Sequence, residues 1–262
     1  KPHLKEEAYF GEVYNLELNA SYQKTFFEKH NIDAKAVFTV TENTGSDFWA
    51  SRRDYLSSKV DQLFAGPSVG MQNSGKSEEG GRMGVVGRLK YDYDNRYYIE
   101  GSFRYDGSDN FAPGYRWGFF PSVAAAWDIT EEPFFKALNL SNVNLLKIRA
   151  SYGKTGTETD VERFGYLSTY SLKEDVICIG GKSLFGFSEG ALVAPELLTW
   201  YTRNSLNYGL DYAFLNNRIK GNIDYFYYVT EGGLMSPKDR YTTPLGKDLP
   251  QIKSDSKHRR EG

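Results

Sequence analysis

The chain has 262 residues, a formal net charge of -2 and a mean hydropathy of -0.56. The small net charge gives no electrostatic reason to expect nucleic-acid binding, and no stretch approaches the roughly 18 consecutive apolar residues of a membrane helix. The single cysteine excludes an intramolecular disulfide and supplies no zinc cluster. Aromatic residues are abundant, at 16 % of the chain.

Eight runs of alternating side-chain character predict eight β-strands. They lie at residues 14–24, 32–42, 83–93, 96–105, 119–129, 145–154, 205–214 and 218–229. Each run is about as long as the roughly 9 to 11 residues that a tilted strand needs to cross a bilayer. Short turns are predicted at Asp94 and Asn95 and at Asn216 and Asn217. Long loops are predicted at residues 44–80, 106–116 and 156–204, and a polar tail at 231–262.

Each run separates an apolar face from a polar one. In the run 83–93, for example, Leu89 and Tyr91 alternate with Arg88 and Lys90. The apolar faces are rich in Tyr and Trp near the run ends, and the connections alternate between short and long, as in outer-membrane barrels. These features favour an all-β fold, an antiparallel transmembrane β-barrel. A soluble β-sandwich stays open, because its sheets also alternate between core and solvent.

Two short motifs match enzyme patterns without the structural context that those patterns need. Residues 70–77 fit the phosphate-loop pattern, but Pro67 precedes them and two glycines follow, which predicts a flexible polar loop. Residues 186–190 fit the nucleophile-elbow pattern, but no parallel βα pattern surrounds them, and a glycine-rich loop is expected. The three histidines are scattered. We therefore predict neither an enzyme nor a cofactor or metal site.

Several ordered motifs resemble those of one family of membrane proteins. They are Arg-Leu-Lys-Tyr-Asp-Tyr at 88–93, Arg-Tyr-Asp-Gly-Ser at 104–108, Arg-Trp-Gly-Phe-Phe-Pro-Ser-Val at 116–123 and Arg-Ala-Ser-Tyr-Gly-Lys-Thr-Gly at 149–156. In this order they are similar to the barrel motifs of SusC/RagA-type TonB-dependent transporters. The similarity resumes at residues 198–200 and covers most of residues 82–230.

The resemblance implies that residues 1–262 form part of the barrel of a larger transporter in the outer membrane of a Gram-negative bacterium, without its plug domain. It also implies energy supplied through TonB, a SusD-like surface lipoprotein as partner, a glycan or peptide as substrate and outer-membrane lipid around the barrel. Two alternatives remain. One is a self-contained eight-strand outer-membrane barrel acting as adhesin or small porin, and the other is a soluble carbohydrate-binding β-sandwich.

Two sets of residues are candidate sites. Aromatic residues in or beside the predicted loops have faces suited to sugar rings, although loop anchoring is an equal alternative; they are Trp49, Tyr55, Phe111, Trp117 and Trp200. Charged residues on the predicted lumen face either line a solute path, contact a plug or merely pair across strands; they are Arg88, Lys90, Glu100, Arg104, Lys147 and Arg149.

Overall fold

The structure, a computed structural model, consists almost entirely of β-strands. It describes residues 2–140, 142–158, 161, 163–167, 170–180, 182–189, 198–235, 252–254 and 256–262. The strands are β1 (His3–Phe26), β2 (His30–Arg53), β3 (Gln72–Tyr93), β4 (Tyr97–Ser108), β5 (Trp117–Asp128), β6 (Val143–Thr157), β7 (Tyr170–Ile179), β8 (Lys182–Glu189), β9 (Tyr201–Phe214), β10 (Ile219–Glu231), β11 (Leu234–Met235), β12 (Ile252–Lys253) and β13 (His258–Glu261).

The helical segments are short. The described residues contain one α-helix, α1 (Pro133–Ala137), and two 3-10 turns, at Leu63–Ala65 and Ile129–Glu131. Among the described residues, no helix is both long enough and apolar enough to cross a membrane.

Nine strands form one sheet in the order β1-β2-β3-β4-β5-β6-β9-β10-β13, and β7–β8 and β11–β12 form two small sheets. The pairs from β4 to β13 in the large sheet are antiparallel. The predicted all-β antiparallel architecture is confirmed. In the described part of the chain, β1 and β13 end the order without pairing with each other, so these strands do not make a closed eight-strand barrel.

The first three strands are longer than the sequence predicted. β1 begins at His3 instead of residue 14, β2 continues to Arg53, and β3 begins at Gln72. The predicted loop 44–80 is therefore wrong except for residues 54–71, and most of the phosphate-loop match lies in β3. Alternation in hydropathy reports an apolar environment on one face, so it is weak where the two faces of a strand do not contrast.

The later loops and the tail also contain strands. Residues 170–179 and 182–189 of the predicted loop 156–204 form the β7–β8 hairpin, and the nucleophile-elbow match begins inside β8. The tail contributes β13, which pairs with β10, while residues 236–251 lie outside the described residues. The sequence of β13, His-Arg-Arg-Glu, is polar on both faces and gave no periodic signal.

Two compact units make up the chain. The first comprises Lys1–Glu17 and Thr39–Met83, and the second comprises Leu18–Phe38 and Gly84–Gly262. The first unit contains parts of β1, β2 and β3, and the second contains the rest of these three strands together with β4 to β13. In the second unit, Asp94 and Asn95 have φ angles of 53° and 55°, as a type I′ hairpin turn requires. Both predicted short turns are confirmed, since Asn216 and Asn217 also have positive φ.

One face of the second unit's strands exposes large apolar side chains. Their exposed fractions are 40–62 %, and they are Leu89, Ile99, Phe103, Val123, Ile148, Tyr152, Tyr208 and Ile223. A soluble protein rarely exposes so continuous an apolar surface, and a sandwich would bury it against a second sheet. This face therefore has the character of a surface that contacts lipid.

Aromatic residues border this apolar face at both ends of the β4–β5 hairpin. Tyr97 lies opposite Trp127 beside the short turn, and Tyr105 stacks on Trp117 at a ring distance of 4.7 Å beside the long loop. Tyr97 and Tyr105 are eight residues apart, or roughly 26 Å along the strand. This spacing is close to the ~25 Å height of the apolar band between the aromatic girdles of outer-membrane barrels.

Candidate functional site

The polar face of the second unit collects charged residues from several strands. Tyr98, Ala126, Arg149, Gly209 and Asp224 stand side by side across β4, β5, β6, β9 and β10. They form one row on this face because antiparallel partners point to the same side of a sheet. Residues far apart in the sequence thus meet in a single band.

Arg149 is held by two carboxylates from neighbouring strands. Its guanidinium donates to both oxygens of Asp211 at 2.8 Å and to Asp224 at 2.9 Å. Gly209 makes this bridge possible, since a Cβ there would lie 2.6 Å from an Asp224 oxygen and 2.7 Å from the guanidinium carbon. Arg149 therefore links β6, β9 and β10, and the bidentate geometry fixes its orientation.

An open groove of ≈ 300 Å³ lies beside this row. Four of the six predicted charged residues line it: Lys90, Glu100, Lys147 and Arg149. The ammonium of Lys147 lies 3.8 Å from the centre of the Tyr98 ring, and that of Lys90 lies 5.8 Å from it. In the described part of the chain, neither lysine makes an ion pair with a carboxylate. Besides the paired Arg149, the groove is therefore lined by two ammonium groups and one carboxylate, Glu100.

The other two predicted charged residues pair locally. Arg88 forms an ion pair with Asp33 at 3.2 Å, and Arg104 donates to both oxygens of Asp106 at 2.9 and 3.1 Å. Asp106 is buried, whereas Arg104 is more than half exposed. These two arginines are thus engaged within the sheet, away from the groove.

A buried cluster anchors the long loop of the β4–β5 hairpin. Phe111, which is completely buried, packs against Trp200 at a ring distance of 5.1 Å, and Phe120 contacts Trp200 at 5.3 Å. The Trp200 indole donates to the carbonyl of Arg116 at 3.0 Å. Leu198 completes the cluster. Burial leaves Phe111 and Trp200 no open ring face for a ligand in this structure.

Glycines create the space for the Phe120 ring in this cluster. A Cβ at Gly156 would lie 2.0 Å from the ring, and one at Gly118 would lie 2.3 Å from it. Both distances are far inside van der Waals contact, so these two positions accept only glycine while Phe120 keeps its place. Glycine inside a strand often marks such a close approach.

The other three aromatic candidates have different local surroundings. Tyr55 is buried and its hydroxyl donates to the carbonyl of Leu63 at 3.4 Å. Trp49 lies in β2, not in a loop, with the Lys5 ammonium 4.9 Å from its ring. Trp117 belongs to the aromatic border of the apolar face. Of the five predicted aromatic residues, Phe111 and Trp200 pack against each other.

The sequence analysis did not predict a role for Glu132, a buried carboxylate between β5 and β6 that lies beside the β3–β4 turn. It accepts hydrogen bonds from the Tyr97 hydroxyl and from the Trp127 indole at 3.0 Å, and it pairs with Arg96 at 3.6 Å. These donors, Tyr97 first, hold the pKa of Glu132 below its ordinary value of 4.5, although burial acts in the opposite direction. Glu132 thus links the side chains of Tyr97 and Trp127, two residues of the aromatic border, to the connection between β5 and β6.

Acid is expected to weaken the interactions of the Glu132 carboxylate with Tyr97, Trp127 and Arg96. Because the folded-state pKa of Glu132 is lowered, its stabilising contribution is complete above 4.5 and is lost as the pH falls through the lowered pKa. We expect the thermal midpoint of the full-length protein in detergent to fall less between pH 7 and pH 3 in Glu132→Gln than in the wild type. Glu131→Gln, at the exposed neighbour that pairs with Lys136, is the matched control. Equal losses in wild type and Glu132→Gln would contradict the assignment.

The described residues offer no group of three or more His, Cys, Asp or Glu side chains arranged to hold a metal ion. What the polar face can supply is hydrogen bonding and charge: a fixed guanidinium, two lysines and a carboxylate along an open groove.

Comparison with known proteins identifies the family. The β-barrel of TonB-dependent receptor-like proteins matches residues 4–243. The TonB-dependent receptor SusC of Bacteroides thetaiotaomicron is 36 % identical over 165 residues, which are 63 % of this chain and 16 % of SusC. The TonB-dependent receptor P3 of Formosa agariphila is 31 % identical over 215 residues, 80 % of this chain and 20 % of that receptor.

A solved structure has the same fold. The RagAB peptide importer in the closed-closed state matches 98 % of this chain with a TM-score of 0.81 and 22 % identity, and the match covers 27 % of the solved chain. The chain spans 16–20 % of the length of the curated relatives above. It belongs to the TonB-dependent receptor β-barrel family, of the SusC/RagA type, whose members are outer-membrane proteins of Gram-negative bacteria.

Proposed function

We propose that this chain forms part of the barrel wall of an outer-membrane transporter that imports glycans or oligopeptides. The observation that carries the proposal is the contrast between the two faces of the same strands. One face exposes apolar side chains bordered by aromatic residues, and the other carries paired charges and a polar groove. This is the arrangement of a strand set between lipid and an aqueous lumen.

Energy from TonB, a SusD-like lipoprotein partner and the absence of catalysis are parts of the same proposal. Membership of the TonB-dependent receptor family supports the first, and the likeness to SusC and to RagAB supports the second. The family is one of receptors and transporters, which supports the third. RagAB is described as a peptide importer, and both substrate classes remain within the proposal.

Within the barrel, we propose that the groove beside Tyr98 faces the solute path. Lys90, Lys147 and Glu100 line it, whereas Arg149 already bonds to Asp211 and Asp224. A guanidinium that bridges three strands acts as structure, while ammonium groups over an aromatic ring keep hydrogen-bonding capacity for a passing solute. Arg149 thus stabilises the barrel wall, and Lys90 and Lys147 contact the solute.

Deletion of the gene from its own bacterium tests this function. We expect the deletion strain to lose growth on glycans or on oligopeptides supplied as the sole nutrient source of that class, and to regain it on complementation. Loss of TonB should produce the same defect. Unchanged uptake of both solute classes after deletion, or uptake independent of TonB, would refute the proposal.

A further inference from the structure

An exposed tyrosine of the first unit lies along the sheet. Tyr9 in β1 is 67 % exposed. A Cβ at Gly11 would lie 2.9 Å from both Cε1 and the hydroxyl oxygen of Tyr9, and one at Gly45 would lie 3.0 Å from that oxygen. The ring therefore occupies the space that side chains at these two glycines would fill. It rests on bare backbone and keeps its outer face open.

Charged side chains share this face of the sheet with Tyr9. Lys5 and Glu7 point to the same face of β1, four and two residues before Tyr9, and pair with each other at 3.0 Å. On the other side, the Glu78 side chain reaches to 3.4 Å from the Cβ position of Gly45 and pairs with Lys76 at 3.8 Å. The result is an open aromatic plate with hydrogen-bond donors and acceptors on both sides.

We propose that Tyr9 is a stacking platform for a sugar ring of a glycan. The flat ring offers an apolar surface to the C–H face of a sugar, while the carboxylates of Glu7 and Glu78 on the same face can accept hydrogen bonds from its hydroxyl groups. Peptides bind sheets through an edge or through pockets for alternate side chains. At this position the ring itself fills the space above the glycines, so there is no pocket for a side chain. The inference rests on the proposed import function and narrows its substrate to a glycan.

Affinity electrophoresis of the purified full-length protein tests the platform. The probes are three neutral polysaccharides cast separately into native gels: an α-glucan, a β-glucan and a mannan. We expect at least one to retard the wild type, and Tyr9→Ala to weaken that interaction about tenfold. Tyr9→Phe keeps the ring and should be retarded like the wild type. Tyr14→Ala removes an equally exposed ring, 62 % against 67 %, from the opposite face of β1 and should also behave like the wild type.

A second variant moves the ring without removing it. Gly11→Val fills the space beneath Tyr9 and is expected to reduce retardation as strongly as Tyr9→Ala. The platform is wrong if no polysaccharide retards the wild type, or if Tyr9→Ala is retarded as strongly as the wild type. It is also wrong if Tyr9→Ala impairs only oligopeptide uptake. The growth of the deletion strain tests the import function independently of these gels. Refutation of the Tyr9 platform and refutation of the import function therefore give different results.

Discussion

Val123→Arg is expected to lower the free energy of unfolding of the barrel by about 2–4 kcal/mol, which is the cost of a cation on the lipid face near the bilayer midplane. Val123 lies on the apolar face opposite Gly101, between the aromatic borders formed by Trp127 and Trp117. An arginine there has to place its charge in hydrocarbon or bend toward a distant interface. Denaturant titration of the full-length protein in lipid vesicles, followed by tryptophan fluorescence, measures the loss.

The adjacent residue provides a matched control. Ala124 points to the opposite face and lines the polar groove, so Ala124→Arg places the same charge in an aqueous space. We expect it to change stability by less than about 1 kcal/mol. Equal effects of the two arginines would mean that both faces meet the same solvent, and the assignment of the apolar face to lipid would fail.

Phe111→Ala is expected to cost about 3–5 kcal/mol in the stability of the β4–β5 loop, because it removes a completely buried ring and leaves a cavity. The loss is local, since the cluster joins the loop to Leu198 and Trp200 and not to the apolar face. Hydrogen exchange at the amide of Tyr115, which donates to the carbonyl of Ala112, reports opening of this loop.

Two further variants serve as controls for Phe111→Ala. Tyr115→Ala removes a ring from the same loop that is 41 % exposed and should leave exchange almost unchanged. Phe111→Leu keeps most of the apolar volume and should fall between wild type and Phe111→Ala. Rapid exchange in the wild type itself would show that the cluster does not hold the loop closed.

The sequence predicted those strands that separate an apolar face from a polar one. The alternation of Ile99 with Glu100 located β4, and the five predicted strands from β4 onward lie within four residues of their predicted bounds. The extension of β3 and the short strand β13 were missed because both of their faces are polar. The extensions of β1 and β2 were missed because both of their faces carry aromatic residues, Tyr9 and Phe10 in β1 and Phe48 and Trp49 in β2, so the faces do not contrast. Backbone pairing holds such segments, and pairing leaves no periodic trace in hydropathy.

The shared face of four candidate charged residues was predictable from the sequence, but their pairing was not, and their contact with a solute stays a prediction. Parity alone brought Lys90, Glu100, Lys147 and Arg149 to one groove. The partners of Arg149 are 62 and 75 residues away in the sequence, and they follow only from the register of β6, β9 and β10. Phe111 and Trp200 likewise meet across a long sequence separation. The sequence alone therefore could not distinguish loop anchoring from ligand stacking for these two residues.

The bare backbone beneath the Phe120 ring has a consequence for how this protein can vary over evolution. Gly156 and Gly118 belong to different strands, yet both depend on the same ring. A mutation that adds a side chain at either glycine requires the Phe120 ring to move or position 120 to become smaller, and either change disturbs the buried cluster. Substitutions at these three positions are therefore expected to be coupled.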